Sequence, residues 1–393
     1  MIILFYVIVL LALILLAYLL KNKSIFITII CSLLIIQIIS APKICIDGVI
    51  SGVFLFFYKV FPSLFSFLVV SNIMMSYDGV YIYSKALGSI ICKPLRLPKN
   101  CNFVLIVSIL CGYPLGAKYA CDLYKKNIID IKTCERLLNI ASNASPLFML
   151  GSVGISMLGS SYIGYILLLS NLLSCLIMGI LLPVRTDIAK KRNYEEKHIY
   201  EDSNIGDVLK SSIENSIKTC LSIGGFVTLF SVVNNILKFN HVFNSFIYQI
   251  SNLLHISKDI VEGCTLGIIE MTNGCSLVSS SSASMTWKIA LVSFLFTFSG
   301  LSIMFQVYSF TYKFDISMKK YALRKILQGS VCSILSVAMY ENNLFNFSRQ
   351  TFIHKYFTKS ITINELSTLL LILILTLLLP WITFKLKRLF HIS

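Results

Sequence analysis

Glu270 opens the run Glu270-Met271-Thr272-Asn273-Gly274 inside an apolar stretch of this 393-residue chain. A carboxylate at membrane depth is costly. It is kept there to bind a cation, to exchange a proton, or to accept backbone N–H groups. All three roles are open to Glu270, with Thr272 and Asn273 beside it as neutral partners. A second cluster is Asn139, Ser142, Asn143, Ser145 and Pro146. Asn139, Ser142, Asn143 and Pro146 follow helical spacing, so they form one polar stripe that ends at a proline break. Such a stripe lines a solute path or seams two helices together. Ser299, Ser302 and Gln306 share a helical face, with the small Gly300 between them, and the same two readings apply.

A fourth group is Tyr113-Pro114-Leu115-Gly116. Pro114 removes a donor and the neighbouring glycines permit a tight tip. A helix starting after that tip would point free N–H groups at an anion; a plain surface loop is the other reading. Lys59 and Lys218 are the basic residues placed inside core spans. Either would neutralise a carboxylate ligand, or would snorkel to the interface. Lys218 also has Glu214 one helical turn earlier as a partner. The five histidines show no metal spacing, and there is no H-E-x-x-H, P-loop or G-x-S-x-G motif. Nothing in these motifs points to an enzyme or a cofactor.

The elements that carry these residues are membrane helices. The chain is 56% hydrophobic and 13% charged, with a mean hydropathy of +0.81. A soluble domain carries about 25% charged residues. Continuous spans are expected at 1–20, 24–40, 46–76, 136–159, 160–184, 207–237, 286–311, 326–340 and 366–384. Met1–Leu20 reads as a retained helix, because no basic residue precedes it and no small-residue cleavage site follows. Segment 77–100 mixes apolar residues with Lys85, Lys93, Arg96 and Lys99, as suits the membrane interface. The twelve cysteines lie mostly in apolar runs, without a C-x-x-C pair, and read as small hydrophobes.

Two stretches, 101–121 and 261–284, are apolar but broken by glycine, proline and polar residues. Lipid cannot satisfy broken backbone, so each is expected to be a re-entrant hairpin inside protein. The net charge of +16 fits this topology better than a nucleic-acid partner. The basic loop 185–206 (Arg185, Lys190, Lys191, Arg192, Lys197) marks the cytoplasmic side. With both stretches as hairpins, 25 of the 34 Lys and Arg residues fall inside. The N-terminus then lies outside and the C-terminus in the cytoplasm.

The expected fold is therefore an all-α polytopic membrane protein. It has about nine transmembrane helices plus two re-entrant hairpins in an inverted repeat. Residues 1–45 are peripheral helices, and 46–184 form the first gate-like repeat. Residues 185–206 are the basic loop, 207–311 the second, inverted repeat, and 312–393 the peripheral C-terminal helices. One shift of 163 residues places Val69-Val70-Ser71-Asn72-Ile73 on Val232-Val233-Asn234-Asn235-Ile236. It also places Cys111-Gly112 on Gly274-Cys275 and Asn143 on Gln306.

The runs Cys111 to Lys118, Ser142 to Phe148 and Glu270 to Gly274, and Ser299 to Ser302 with Gln306, resemble the sporulation integral membrane protein YlbJ family, also called SpoVV. That family is similar to the gate, or nucleoside-recognition, domains of concentrative nucleoside transporters. The resemblance covers about 45–310. It implies a role in endospore formation: moving dipicolinic acid from the mother cell across the outer forespore membrane. A flat pyridine dicarboxylate needs cations or N–H groups at its two carboxylates, and an apolar or aromatic wall. Under this reading Lys59, Tyr113, Asn143, Ser145, Lys218, Thr272, Asn273, Ser302 and Gln306 bind substrate. Glu270 couples transport to protons or sodium, unless transport simply runs down a synthesis gradient. Partners are then a small organic anion and membrane lipid, with no nucleic acid; the oligomeric state stays open. A nucleoside transporter on the same scaffold and a non-transporting scaffold for spore assembly stand as alternatives.

Overall fold

The computed structural model describes residues 23–77, 79–183 and 204–342. Among them all regular structure is helical. α1 (Lys23–Ser40) leads into α2 (Pro42–Leu55), a π-helical turn (Phe56–Val60) and α3 (Phe61–Ser76). α4 (Gly79–Cys92) follows, then α5 (Asn102–Cys111) and α6 (Leu115–Lys125). α7 (Ile131–Ile140), a second π-helical stretch (Phe148–Met157) and α8 (Ser161–Leu181) complete the first half. The second half contains α9 (Ile205–Phe239), α10 (His241–Leu254), α11 (Lys258–Ile269) and α12 (Met271–Ser280). It closes with α13 (Met285–Phe298), α14 (Gly300–Thr311) and α15 (Met318–Glu341).

Among the described residues, four helical spans are long and apolar enough to cross a membrane: Ser161–Leu181, Ile205–Phe239, Met285–Thr311 and Met318–Glu341. The number rises to six if two bent pairs each count as one span. One pair bends by 105° between Ile27–Ser40 and Pro42–Tyr58; the other bends by 83° between Leu64–Ser76 and Gly79–Lys85. The expected spans 1–20 and 366–384 and most of the basic loop 185–206 lie outside the described residues.

Three expected spans are not regular helices, each for a local reason. Span 46–76 carries the π-helical turn just before Pro62. A proline clashes with the carbonyl four residues back, and the wider turn lets Phe61 N bond to Phe56 O instead. Span 136–159 ends as a helix at Ile140, and 141–145 have left helical geometry. Pro146 restricts the residue before it, while Ser142, Asn143 and Ser145 compete for nearby backbone. Span 286–311 breaks at Ser299 and Gly300, with φ of 74° and 71°. The short span 326–340 is longer than expected. It starts at Met318, because Lys319, Lys320, Arg324 and Lys325 are helical rather than loop residues.

Element order is the same in both halves. A long apolar helical run is followed by a shorter helix (α4, α10), a hairpin (α5–α6, α11–α12), a broken helix and a closing helix (α8, α15). Packing is reciprocal across the halves. α9 packs along α2 and α3, and the closing helices α8 and α15 pack together. α6 touches α14, while α12 touches the π-helical stretch after the first break. Each hairpin thus leans on the broken helix of the other half. The 163-residue shift holds only where α3 meets α9. The hairpin arms α6 and α12 open 156 residues apart, at Leu115 and Met271. The closing helices start 157 apart, at Ser161 and Met318. At these element spacings Asn143 falls on Gly300 rather than on Gln306, and Cys111-Gly112 falls on Gly267-Ile268 rather than on Gly274-Cys275.

Candidate functional site

The first hairpin tip forms because Gly112 takes φ +78°, a region that L side chains rarely adopt. Its N–H still bonds to Ser108 O at 3.0 Å, closing α5. Tyr113 N then donates to Asn143 O at 2.6 Å, which ties the tip to the first helix break. Leu115 starts α6, and no side chain caps that helix.

The second tip is built on a different device. Glu270 leaves helical geometry between α11 and α12. Its carboxylate caps α12, accepting from Thr272 N at 3.1 Å and from Asn273 N at 2.9 Å. The side chain is 4% exposed. The charge is held by two N–H groups and by the positive end of α12. Of the roles open to Glu270, backbone capping is the one present here. Each carboxylate oxygen accepts one bond in this cap, and an ionised oxygen has capacity for another.

The two tips touch. Tyr113 Oη lies 2.8 Å from Met271 Sδ and 3.4 Å from Phe296 O. Around this contact is a cavity of about 90 Å3. The long helical runs, the hairpin tips and the broken helices of both halves contribute to its wall. Leu55, Val60 and Leu64 face Ile223 and Val227 from the long helical runs. Cys111 and Tyr113 come from one tip, and Glu270, Met271 and Thr272 from the other. Ser145 ends the first break and Phe148 follows it; Ser302, Ile303 and Gln306 follow the second. Ser302 Oγ accepts from Gln306 Nε2 at 3.4 Å, so these two side chains hold each other in place.

Six of the residues expected to act are thereby brought to one place: Tyr113, Ser145, Glu270, Thr272, Ser302 and Gln306. The others are not. Asn143 is buried behind the wall, accepting from Cys175 Sγ at 2.6 Å and donating to Ile140 O at 3.3 Å. Its position on the inner side of the break turns the amide toward α8. Asn273 contributes its N–H to the Glu270 cap and does not line the cavity. Lys218 is exposed on α9 and is not joined to Glu214 by an ion pair. The backbone of Lys59 lies in the first π-helical turn, but its side chain lies outside the described residues. Among the described side chains that line the cavity, Glu270 is the one that carries a charge.

Two buried cations were not expected. Arg136 donates to Arg96 O at 2.9 Å and also to Gly179 O. Lys325 donates to Ser142 O at 2.8 Å and to Gln328 Oε1 at 2.9 Å. Lys325 is legible in part: Tyr321, Lys325, Gln328, Cys332 and Ser336 recur at helical spacing, a stripe cut by starting the expected span at 326. Polar stripes also cross the halves directly, as where Asn171 donates to Thr297 Oγ1 at 3.1 Å.

Fold and site define an all-helical membrane protein with two paired hairpins around a small internal cavity. In comparisons with known proteins the chain is similar to the sporulation integral membrane protein YlbJ of Bacillus subtilis (strain 168). The two are 26% identical over 353 residues, covering 84% of this chain and 85% of that protein. This supports the family resemblance carried by the motifs. No family model matches the chain, and no solved structure matches it.

Proposed function

We propose that this chain is a secondary transporter, not an enzyme, with its solute site in the cavity between the two hairpin tips. One observation carries the reading: matching elements of both halves supply the cavity wall. A pure scaffold has no need of a cavity that gathers Tyr113, Ser145, Glu270, Thr272, Ser302 and Gln306 on a mainly apolar wall at the meeting point of two helix breaks. We take the halves to be an inverted repeat, which the shared element order and reciprocal packing support. Alternating access then means rocking the hairpins between two sides. The likeness to a sporulation membrane protein supports a role in spore formation, in the outer forespore or mother-cell membrane. The charge bias supports a cytoplasmic 185–206 loop, an outer N-terminus and an inner C-terminus.

Dipicolinic acid is the cargo we propose. Among the described lining residues its two carboxylates would meet Glu270 and no base, so in this reading it enters with protons or a metal cation that offsets the charge. Ser302, Gln306, Thr272 and Ser145 supply hydrogen bonds, and Phe148 and Tyr113 an aromatic wall. That Glu270 is the one charged group among the described lining residues also favours a second reading, an uncharged polar solute such as a nucleoside. The two separate in one experiment, uptake of labelled dipicolinate or uridine into proteoliposomes under defined ion gradients. Dipicolinate entry that requires protons or a cation, and falls about tenfold in Gln306→Ala, supports the first. Entry of uridine alone supports the second. Entry of neither solute under any gradient would sink the transporter reading.

A further inference from the structure

Lys325 is fully buried on α15, and no ion pair reaches it among the described residues. Its ammonium sits on the Ser142 carbonyl, just past the end of α7 at Ile140. There the chain has left the helix, and carbonyls have lost their helical donors. The negative end of the helix dipole lies at the same point. In transporters built from broken helices, unwound carbonyls and half-helix C-termini coordinate the coupling cation. Here a side chain of the same charge, brought by the closing helix of the other half, fills that position. Two oxygens accept from it, Ser142 O and Gln328 Oε1, and the Ser142 hydroxyl on the same residue is paired with Tyr321 Oη at 2.8 Å.

The second break shows that the fold does not demand a lysine. Asn171 stands ten residues into α8, as Gln328 stands ten residues into α15. Asn171 reaches Thr297 at the end of α13, and its buried Oδ1 has no partner. No ammonium lies there among the residues described.

We propose that Lys325 is a built-in cation: its ammonium occupies a site at the first break that would otherwise take a monovalent cation such as sodium, potassium or a small alkylammonium. The site is independent of what the central cavity carries. The test is thermal unfolding of detergent-purified protein, with sodium, potassium or ethylammonium chloride replacing choline chloride at constant ionic strength. In Lys325→Ala the vacated site binds the added cation, and the melting temperature rises saturably by ~4 °C. Wild type stays flat, and so does Lys325→Met, whose side chain still fills the path. If Lys325→Ala aggregates in choline, recovery of folded protein in one of the three salts is the expected result. No response and no recovery in any salt overturns the proposal, as does a saturable rise in the wild type. Transport is not read out, so failure here leaves the solute-site reading untouched.

Discussion

Glu270, Arg136 and Lys325 are the charged side chains buried among the described residues, and no ion pair joins them to one another. Each is placed at a helix end of opposite polarity. Glu270 caps the start of α12, Arg136 holds a carbonyl in the last turn of α8, and Lys325 sits past the end of α7. Charge at depth is thus offset by backbone. Replacing Glu270 by Gln keeps the shape and one acceptor, so it should cost only ~1 kcal/mol of cap energy, read from thermal unfolding. If dipicolinate travels with a compensating cation, uptake by the same variant loses much of its cation or proton dependence. Arg136→Leu leaves the buried Gly179 carbonyl without this donor, and the part-buried Arg96 carbonyl too, and should cost about 2 kcal/mol. Arg136→Lys should recover part of that, because an ammonium lacks the fork that spans both carbonyls.

The elements are defined as much by their interruptions as by their helices. The arms of the second hairpin approach until Gly267 and Gly274 touch backbone to backbone; a Cβ at Gly274 would collide with the Gly267 main chain. Gly274→Ala should therefore splay the hairpin and cost about 2 kcal/mol or more. Gly225→Ala is the matched control. Its Cβ meets nothing within 4 Å on α9, so helix propensity should make it neutral or stabilising by ~0.5–1 kcal/mol. Thermal unfolding of the two variants side by side tests the difference. A similar loss in both would mean that hairpin closeness is not what matters.

Across the whole molecule the cavity is small for the cargo proposed. An engineered cavity of about 150 Å3 encloses benzene, whereas this one measures about 90 Å3. A ring bearing two carboxylates fits only if the tips part. Tyr113 and Met271 form the contact between the tips. Joining Cys residues placed at these two positions with a short thiol cross-linker should abolish uptake while the protein stays folded. Reversing the link should restore it. Uptake that persists with the link intact would put the solute path elsewhere.

Composition and hydropathy were enough to place this chain among helical membrane proteins, and glycine and proline were enough to locate the first hairpin tip, since backbone freedom and a missing donor are local properties. The break after Ile140 was half legible: the polar stripe and Pro146 marked it, yet the apolar residues around them read as one continuous span. At the second break Gly300 was the local sign, read only as a small residue on a continuous helix; that Ser299 before it also takes positive φ is a product of the packed structure. The site divides in the same way. Polar residues at depth identify themselves by their cost, which is how Tyr113, Ser145, Glu270, Thr272, Ser302 and Gln306 were found. Tertiary packing alone turns Asn143 toward α8, leaves Lys218 exposed, and brings Lys325 to a carbonyl 183 residues away. A buried polar group must find a partner. Its own type says that much, but only the arrangement of distant helices determines whether that partner is a solute or an unpaired helix end.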